Sequence, residues 1–260
     1  YTPFTGCAAP VADTAPPQVS SFEVVNTNAL EITFSEPVIG SEPGNPANYL
    51  LSGSGGVQVV SVLEDQQAVT LLFNNNLTQG ILYNLQIAQL QDCNGNTAAN
   101  LQIQFGLGQP ADSYDVLINE IYADVDIPTQ YQNPNLTLPK VRFVELFNRT
   151  NKVIDLAQWE FRDAADTAYL SSYLLLPGAY VLLCSTTQTN QLTALGMPTL
   201  GVSGFPTLNV TSDNLKLVNP AGLIIHEVNY EKSWYANPIK AEGGYSLELI
   251  DPNNPCEGAR

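Results

Sequence analysis

Residues 30–38 read Leu30-Glu31-Ile32-Thr33-Phe34-Ser35-Glu36-Pro37-Val38. Leu30, Ile32 and Phe34 alternate with Glu31 and Thr33, the period-two pattern of a strand with one buried face. Pro37 closes the run, because proline has no N–H to give to a ladder. Segments of the same kind recur on both sides, at 19–25, 48–51, 57–62, 68–73, 83–87 and 101–105. Turn-forming clusters at 40–44, 53–56, 74–76 and 94–96 separate them. Short strands punctuated this regularly predict an all-β domain.

Seven such strands within a hundred residues fit an immunoglobulin-like sandwich. Gly106-Leu107-Gly108-Gln109-Pro110 interrupts the pattern and marks a boundary. Beyond it, strands are expected at 116–122, 141–148, 159–162, 180–184, 215–218, 224–229 and 246–250. In 143–147, Phe143, Glu145 and Phe147 fall on one face and Val144 and Leu146 on the other. Two largely apolar faces suit a central strand. Glu120 and Glu145 then need donors, with Arg142, Arg149 or turn amides at hand. A helical turn or two is expected at 187–195, capped by Ser185 or Thr186 and stopped by Gly196. The fold class is all-β, two immunoglobulin-like sandwiches in tandem. Residues 1–17 are an extended lead-in, 18–108 the first sandwich, 109–114 a linker and 115–260 the second sandwich.

Charge follows the same division. The chain of 260 residues carries 9 Lys+Arg against 25 Asp+Glu, a net charge of −16. None of the cations lies in the first 110 residues, which hold eight of the acids. Phosphate binding needs a basic face, so nucleic acid is not an expected partner. An anionic membrane surface repels the chain. The longest apolar stretch, 173–184, is broken by Pro177-Gly178 and is too short to span a bilayer, so no membrane insertion is expected. The first residue is Tyr1, which reads as a processed or excised chain.

Four cysteines, Cys7, Cys93, Cys184 and Cys256, stand far apart with no C-x-x-C pair. That spacing speaks against a zinc site and for disulfides in an oxidising compartment. Of the three possible pairings, Cys7–Cys93 and Cys184–Cys256 are favoured, since each stays within one domain.

The first part resembles the bacterial Ig-like domains of S-layer and other surface proteins. The resemblance is carried by Asp13-Thr14-Ala15-Pro16-Pro17, the 30–38 stretch, Asn48-Tyr49 and Asp92-Cys93-Asn94-Gly95-Asn96. The second part resembles a lamin tail domain, through 118–121, 143–148, 154–159 with Asp163, 176–182, Leu208-Asn209 with Asp213, and 246–248. That family often has Arg where Leu249 stands, so an ion pair of that Arg is not expected. Together the resemblances imply a piece of a long secreted or surface protein of the Bacteroidetes type.

No motif carries catalysis. The one histidine, His226, alternates toward solvent beside Glu227, and Gly201-Val202-Ser203-Gly204 lacks the nucleophile spacing. Phosphate-binding and dinucleotide fingerprints are absent from the sequence. Asp92, Asn94 and Asn96 offer oxygens at alternate positions, and Asp124 with Asp126 and Asp163 with Asp166 are loop carboxylates, so calcium is weighed as a ligand. Asn94-Gly95-Asn96 also reads simply as a hairpin turn. Trp234 and Tyr235, near Tyr230 and Tyr245, form the densest aromatic cluster and a candidate glycan patch or core edge. Sequons at Asn76, Asn135, Asn148 and Asn209 read as chance occurrences. No catalytic, cofactor-binding or metal residue is assigned, and no cofactor. The chain is expected to be a monomeric, non-catalytic extracellular structural, adhesion or interaction module of a larger bacterial protein, with a protein or glycan partner. The alternative is an accessory region, glycan- or calcium-dependent, of a secreted hydrolase whose catalytic domain lies outside this chain.

Overall fold

The computed structural model describes residues 13–52, 59–65, 67–131 and 139–255. It divides into two compact units, Tyr1–Gly108 and Gln109–Arg260. Both are β-sandwiches.

The first unit holds β1 (Val19–Asn26), β2 (Ala29–Phe34), β3 (Val38–Ile39), β4 (Tyr49–Ser52), β5 (Val59–Asp65), β6 (Ala68–Phe73), β7 (Tyr83–Asp92) and β8 (Thr97–Phe105). One sheet runs β1-β2-β6-β5, and in the other β7 pairs with β8 and with both β3 and β4. The alternation of β2 holds in space: Leu30, Ile32 and Phe34 are fully buried and pack in one core with Tyr83, Leu85 and Ile87 of β7. β7 runs five residues past the stretch read from its alternation. Its buried set slips from Tyr83, Leu85 and Ile87 to Leu90 and Asp92. At the slip, Ala88 and Asn100 are skipped in the pairing with β8, and Asn100 takes a φ of 56°.

A 3-10 turn at Pro46–Asn48 explains the Asn48-Tyr49 motif. Asn48 Nδ2 donates to Gln89 O at 2.8 Å and its Oδ1 accepts from Gln89 N at 3.0 Å, so one side chain substitutes for a ladder partner of β7. The Tyr49 hydroxyl donates to Pro43 O at 2.7 Å. No Lys or Arg occurs in this unit, so apolar packing and such amide bonds carry its cohesion.

The second unit holds β9 (Val116–Tyr122), β10 (Phe143–Asn148), β11 (Ile154–Asp155), β12 (Glu160–Arg162), β13 (Thr167–Tyr169), β14 (Leu174–Leu175), β15 (Tyr180–Ser185), α1 (Thr189–Thr193), β16 (Thr199–Val202), β17 (Ser212–Val218), β18 (Ile224–Glu231) and β19 (Leu247–Glu248). The sheets run β16-β15-β10-β9-β19 and β13-β12-β17-β18, with β11-β14 beside them. β10 is central, and Val144 and Leu146 are fully buried beneath it. Trp159 and Phe161 join them in the core between the sheets. Residues 109–115 are tied into this unit: Gln109 N donates to Val153 O at 2.9 Å, and Lys152 holds Asp112 at 3.0 Å and Asp115 at 2.8 Å.

α1 is shorter than its sequence suggests. Gln188 stands at its N-cap without a side-chain bond, because Ser185 Oγ is engaged with Thr187. Gly196 does stop it, with a φ of 77° that a side chain resists. The helix covers Cys184, which lies fully buried with Val141, Leu182 and Leu192 as a free thiol. The expected Cys184–Cys256 disulfide is therefore replaced: the apolar pocket under α1 encloses the sulfur, and burial pushes the thiol pKa up. Cys93 is not among the free thiols. Cys7 and Cys256 lie outside the described residues, as does the sequon at Asn135.

Candidate functional site

The turn that closes β7 onto β8 was the calcium candidate. Asp92 is fully buried there, and its Oδ1 accepts from Asn94 N at 2.8 Å and Asn96 N at 2.7 Å. Asn96 Nδ2 donates to Asp92 Oδ2 at 2.7 Å and to Asp13 O at 3.1 Å. Gly95, at a φ of 91°, lets the turn close. Asn96 thus presents donors to Asp92, not an oxygen to a cation. Against the desolvation of its burial, bonds from Asn96, Asn94 and Gly95 hold the Asp92 carboxyl below its usual range.

A different triad assembles at the same place. Carboxyl oxygens of Asp13, Glu36 and Asp92 lie within 4.8 Å of one another, and among the described residues this is the one group of metal-ligating side chains so placed. Burial and the nearby charges of Asp13 and Asp92 push Glu36 above the ordinary carboxylate range. Sequence reading missed Asp13 and Glu36 as partners because they come from the lead-in and the end of β2, far from Asp92 in the chain. The other calcium candidates are occupied otherwise: Asp126 pairs with Lys140 at 2.7 Å, Asp124 accepts from Asp126 N at 3.2 Å, and Asp163 accepts from Ala165 N at 2.8 Å.

His226 does not face solvent. It is 3% exposed, and its Nδ1 accepts from Ile118 N at 2.8 Å. It shares the inward face of Val228 and Tyr230, two and four residues further along a run of unbroken pairing with β17. Leu217 pairs with His226 but Val218 pairs with Ile224, which leaves Ile225 unpaired and breaks the alternation. On β9 the pairing skips Asn119, and the freed Asn119 side chain donates to Glu145 Oε1 at 2.8 Å. Asn119, not Arg142 or Arg149, is the donor found for Glu145, while Arg149 reaches Pro252 O at 2.9 Å. Burial still pushes Glu145 up, against the Asn119 bond and helped by Glu120 and Glu248. These two glutamates stand beside it in register across β9 and β19. Burial drives His226 down to about 4, so it is neutral at pH 7 and acts as an acceptor.

The aromatic candidates separate. Tyr230 is buried and its hydroxyl donates to Asn209 O, Trp234 packs against the core, and Tyr235 donates to Tyr245 O at 2.9 Å. Trp234 instead borders a groove of about 450 Å³ beside β18. Its apolar lining includes Ile118, Ile121, Val228 and Leu247, and its polar lining Asn119, Glu227, Asn229 and Glu248. The sequence carries no signal for this groove, because its residues come from four separate segments.

Other polar motif residues hold backbone. Asn148 is fully buried, and its Nδ2 reaches Lys152 O at 2.8 Å, Leu175 O at 2.9 Å and Leu176 O at 3.1 Å. Its burial removes the Asn148 sequon as a modification site. Asp213 Oδ2 accepts from Asn209 N at 3.0 Å and Asn209 Nδ2 at 3.1 Å.

Two family models match the chain. Residues 8–106 match the bacterial Ig-like domain model and residues 109–232 the lamin tail domain model. The chain carries a bacterial Ig-like domain followed by a lamin tail domain. Among solved structures, the N-terminal part of the bacterial S-layer protein SbsC is similar at 15% identity and a TM-score of 0.33, covering 84% of this chain and 44% of that one. Surface layer protein SbsC, domains 1-6, is similar at 13% identity and a TM-score of 0.33, covering 84% and 41%. The chain thus spans less than half the length of these structures. Comparison with curated proteins returns no match. No helix among the described residues is long and apolar enough to cross a membrane. Asn148, Asp163 and Asp213 belong to the matched stretch of the lamin tail domain, whereas Trp234 and the 247–255 side of the groove follow it.

Proposed function

We propose that this chain is a non-catalytic structural and interaction module of a larger secreted or surface-attached bacterial protein. The observation that supports the reading is the use made of the motif side chains. Asn48, Asn148, Asp163 and Asp213 are spent on closing turns and tying loops to strands. Polar groups so engaged stiffen a sandwich by fixing its turns and loops to its strands. The family resemblance supports the bacterial surface setting, and the module needs no cofactor for this role. Protease treatment of intact source cells tests the location: removal of the chain from the cells, or its recovery from the medium, is expected. Complete protection inside intact cells overturns the surface reading.

The same reading includes one disulfide, Cys7–Cys93, with Cys184 free. Of the four cysteines, two thiols are expected to titrate in denaturant before reduction and four after it. Four before reduction would remove the disulfide and with it the oxidising compartment as its reason.

A further inference from the structure

β18 is the outer strand of its sheet and pairs with β17 on one side only. In an antiparallel strand, every second residue turns its N–H and C=O away from its partner. At the start of β18 these groups are used. Ile225 O accepts from Tyr114 N at 2.7 Å, Ile224 O accepts from Ser113 Oγ at 3.2 Å, and His226 closes the gap to β9. Past His226 the strand borders the groove, from Glu227 to Asn229. Edge strands are commonly blunted by charged side chains, lysine above all, by proline or by a bulge. The run from Glu227 to Glu231 has no lysine, proline or bulge, and its two charges are glutamates, which turn away an acidic strand but not a basic one.

We propose that this groove takes up an extended, basic peptide segment of another chain, added as a strand on β18. Backbone bonds to the edge would hold it, as in strand addition to other sheets. Its alternate side chains would meet two different surfaces. One set would lie on the apolar floor of Ile121, Val228, Trp234 and Leu247. The other, if basic, would meet Glu248, which lines the groove where no Lys or Arg does, with Glu120 in register beside it, whereas Glu227, also in the lining, already holds Lys216 at 3.2 Å. Glu248 takes part in no ion pair found among the described residues. Six of the lining residues, from Trp234 to Pro255, follow the stretch matched to the lamin tail domain, so the groove is built partly by this chain's own continuation. A spacer needs no such groove, and the structural reading above stands or falls separately from this one.

The test uses the 260-residue chain and three capped heptapeptides: alternating valine and lysine, the same peptide with glutamate for lysine, and the lysine peptide with its central valine replaced by proline. Binding is read by calorimetry, and the amides of 227–231 by hydrogen exchange. The lysine peptide is expected to bind and to slow exchange of those amides. The glutamate peptide, the proline peptide and the Glu248→Lys variant are each expected to bind at least about tenfold more weakly. The proline peptide keeps the lysine charge, so equal binding by it would mean attraction to a chain of net charge −16 and would overturn strand addition. No binding of the lysine peptide, no protection of 227–231, or no effect of Glu248→Lys also overturns the proposal.

Discussion

Replacing Asn148 by Ala is expected to destabilise the second unit by about 3 kcal/mol, because it orphans several buried groups at once. The Asn148 side chain joins the end of β10 to the 150–152 turn and to β14. Its Nδ2 satisfies Leu175 O and Lys152 O, and its Oδ1 accepts from Thr150 N at 3.0 Å and Thr150 Oγ1 at 2.7 Å. Water cannot take over these bonds at a site with no exposed surface. Asn148→Asp is expected to cost as much, since a carboxylate would face the carbonyls that the amide now serves. Urea unfolding followed by tryptophan fluorescence measures both, because Trp159 and Trp234, the only tryptophans, belong to this unit. A loss below about 1 kcal/mol for Ala would mean that the turn holds without the side chain.

Acid is expected to weaken the same unit through His226. Its folded pKa is about 4 against an ordinary 6.5. The unfolded chain therefore takes up a proton below pH 6.5 that the folded chain refuses until about pH 4. Stability is complete above the upper value and falls by about 1.4 kcal/mol per pH unit toward the lower one. Between pH 7 and pH 5 the loss is expected to be about 2 kcal/mol. His226→Gln keeps an acceptor for Ile118 N–H and removes the titration, so its stability should change less over the same interval. Glu145 works in the opposite direction, because a raised carboxylate pKa favours the folded state as pH falls. Comparing the two proteins cancels that contribution. Equal pH slopes for wild type and His226→Gln would sink the assignment.

The strand β2 and the core of β10 were legible because burial on one face or both leaves a periodic record in the residues. Leu30, Ile32 and Phe34 are buried as their alternation requires, and so are Val144 and Leu146. The reading failed where a bulge broke that period. His226 reads as facing outward beside Glu227, yet it shares the inward face with Val228 and Tyr230, and the bulge buries Ile225 next to it, an extra residue that no local signal announces. Strands of two residues are too short to show a period: β3 and β19 form because the longer β7 and β9 pair with them, and β11 and β14 because they pair with each other.

The candidate sites divide along the same line. That Asp92-Cys93-Asn94-Gly95-Asn96 would turn could be read from Asn and Gly side by side. That Asp92 would meet Asp13 and Glu36 could not, because the three approach only after the lead-in and β2 fold against that turn. The amino-acid sequence by itself determined the all-β class, the tandem of a bacterial Ig-like and a lamin tail domain, and a first unit without a single cation. The fold class and the charge division follow from local periodicity, turn chemistry and composition, which act within a few residues of one another, and the two families from the resemblance of their motifs. Only the tertiary structure decided the buried roles of His226, Asn148 and Cys184 and the groove beside β18. These depend on register and on contacts between residues distant in the chain, and a one-residue bulge is enough to reverse which face a side chain takes.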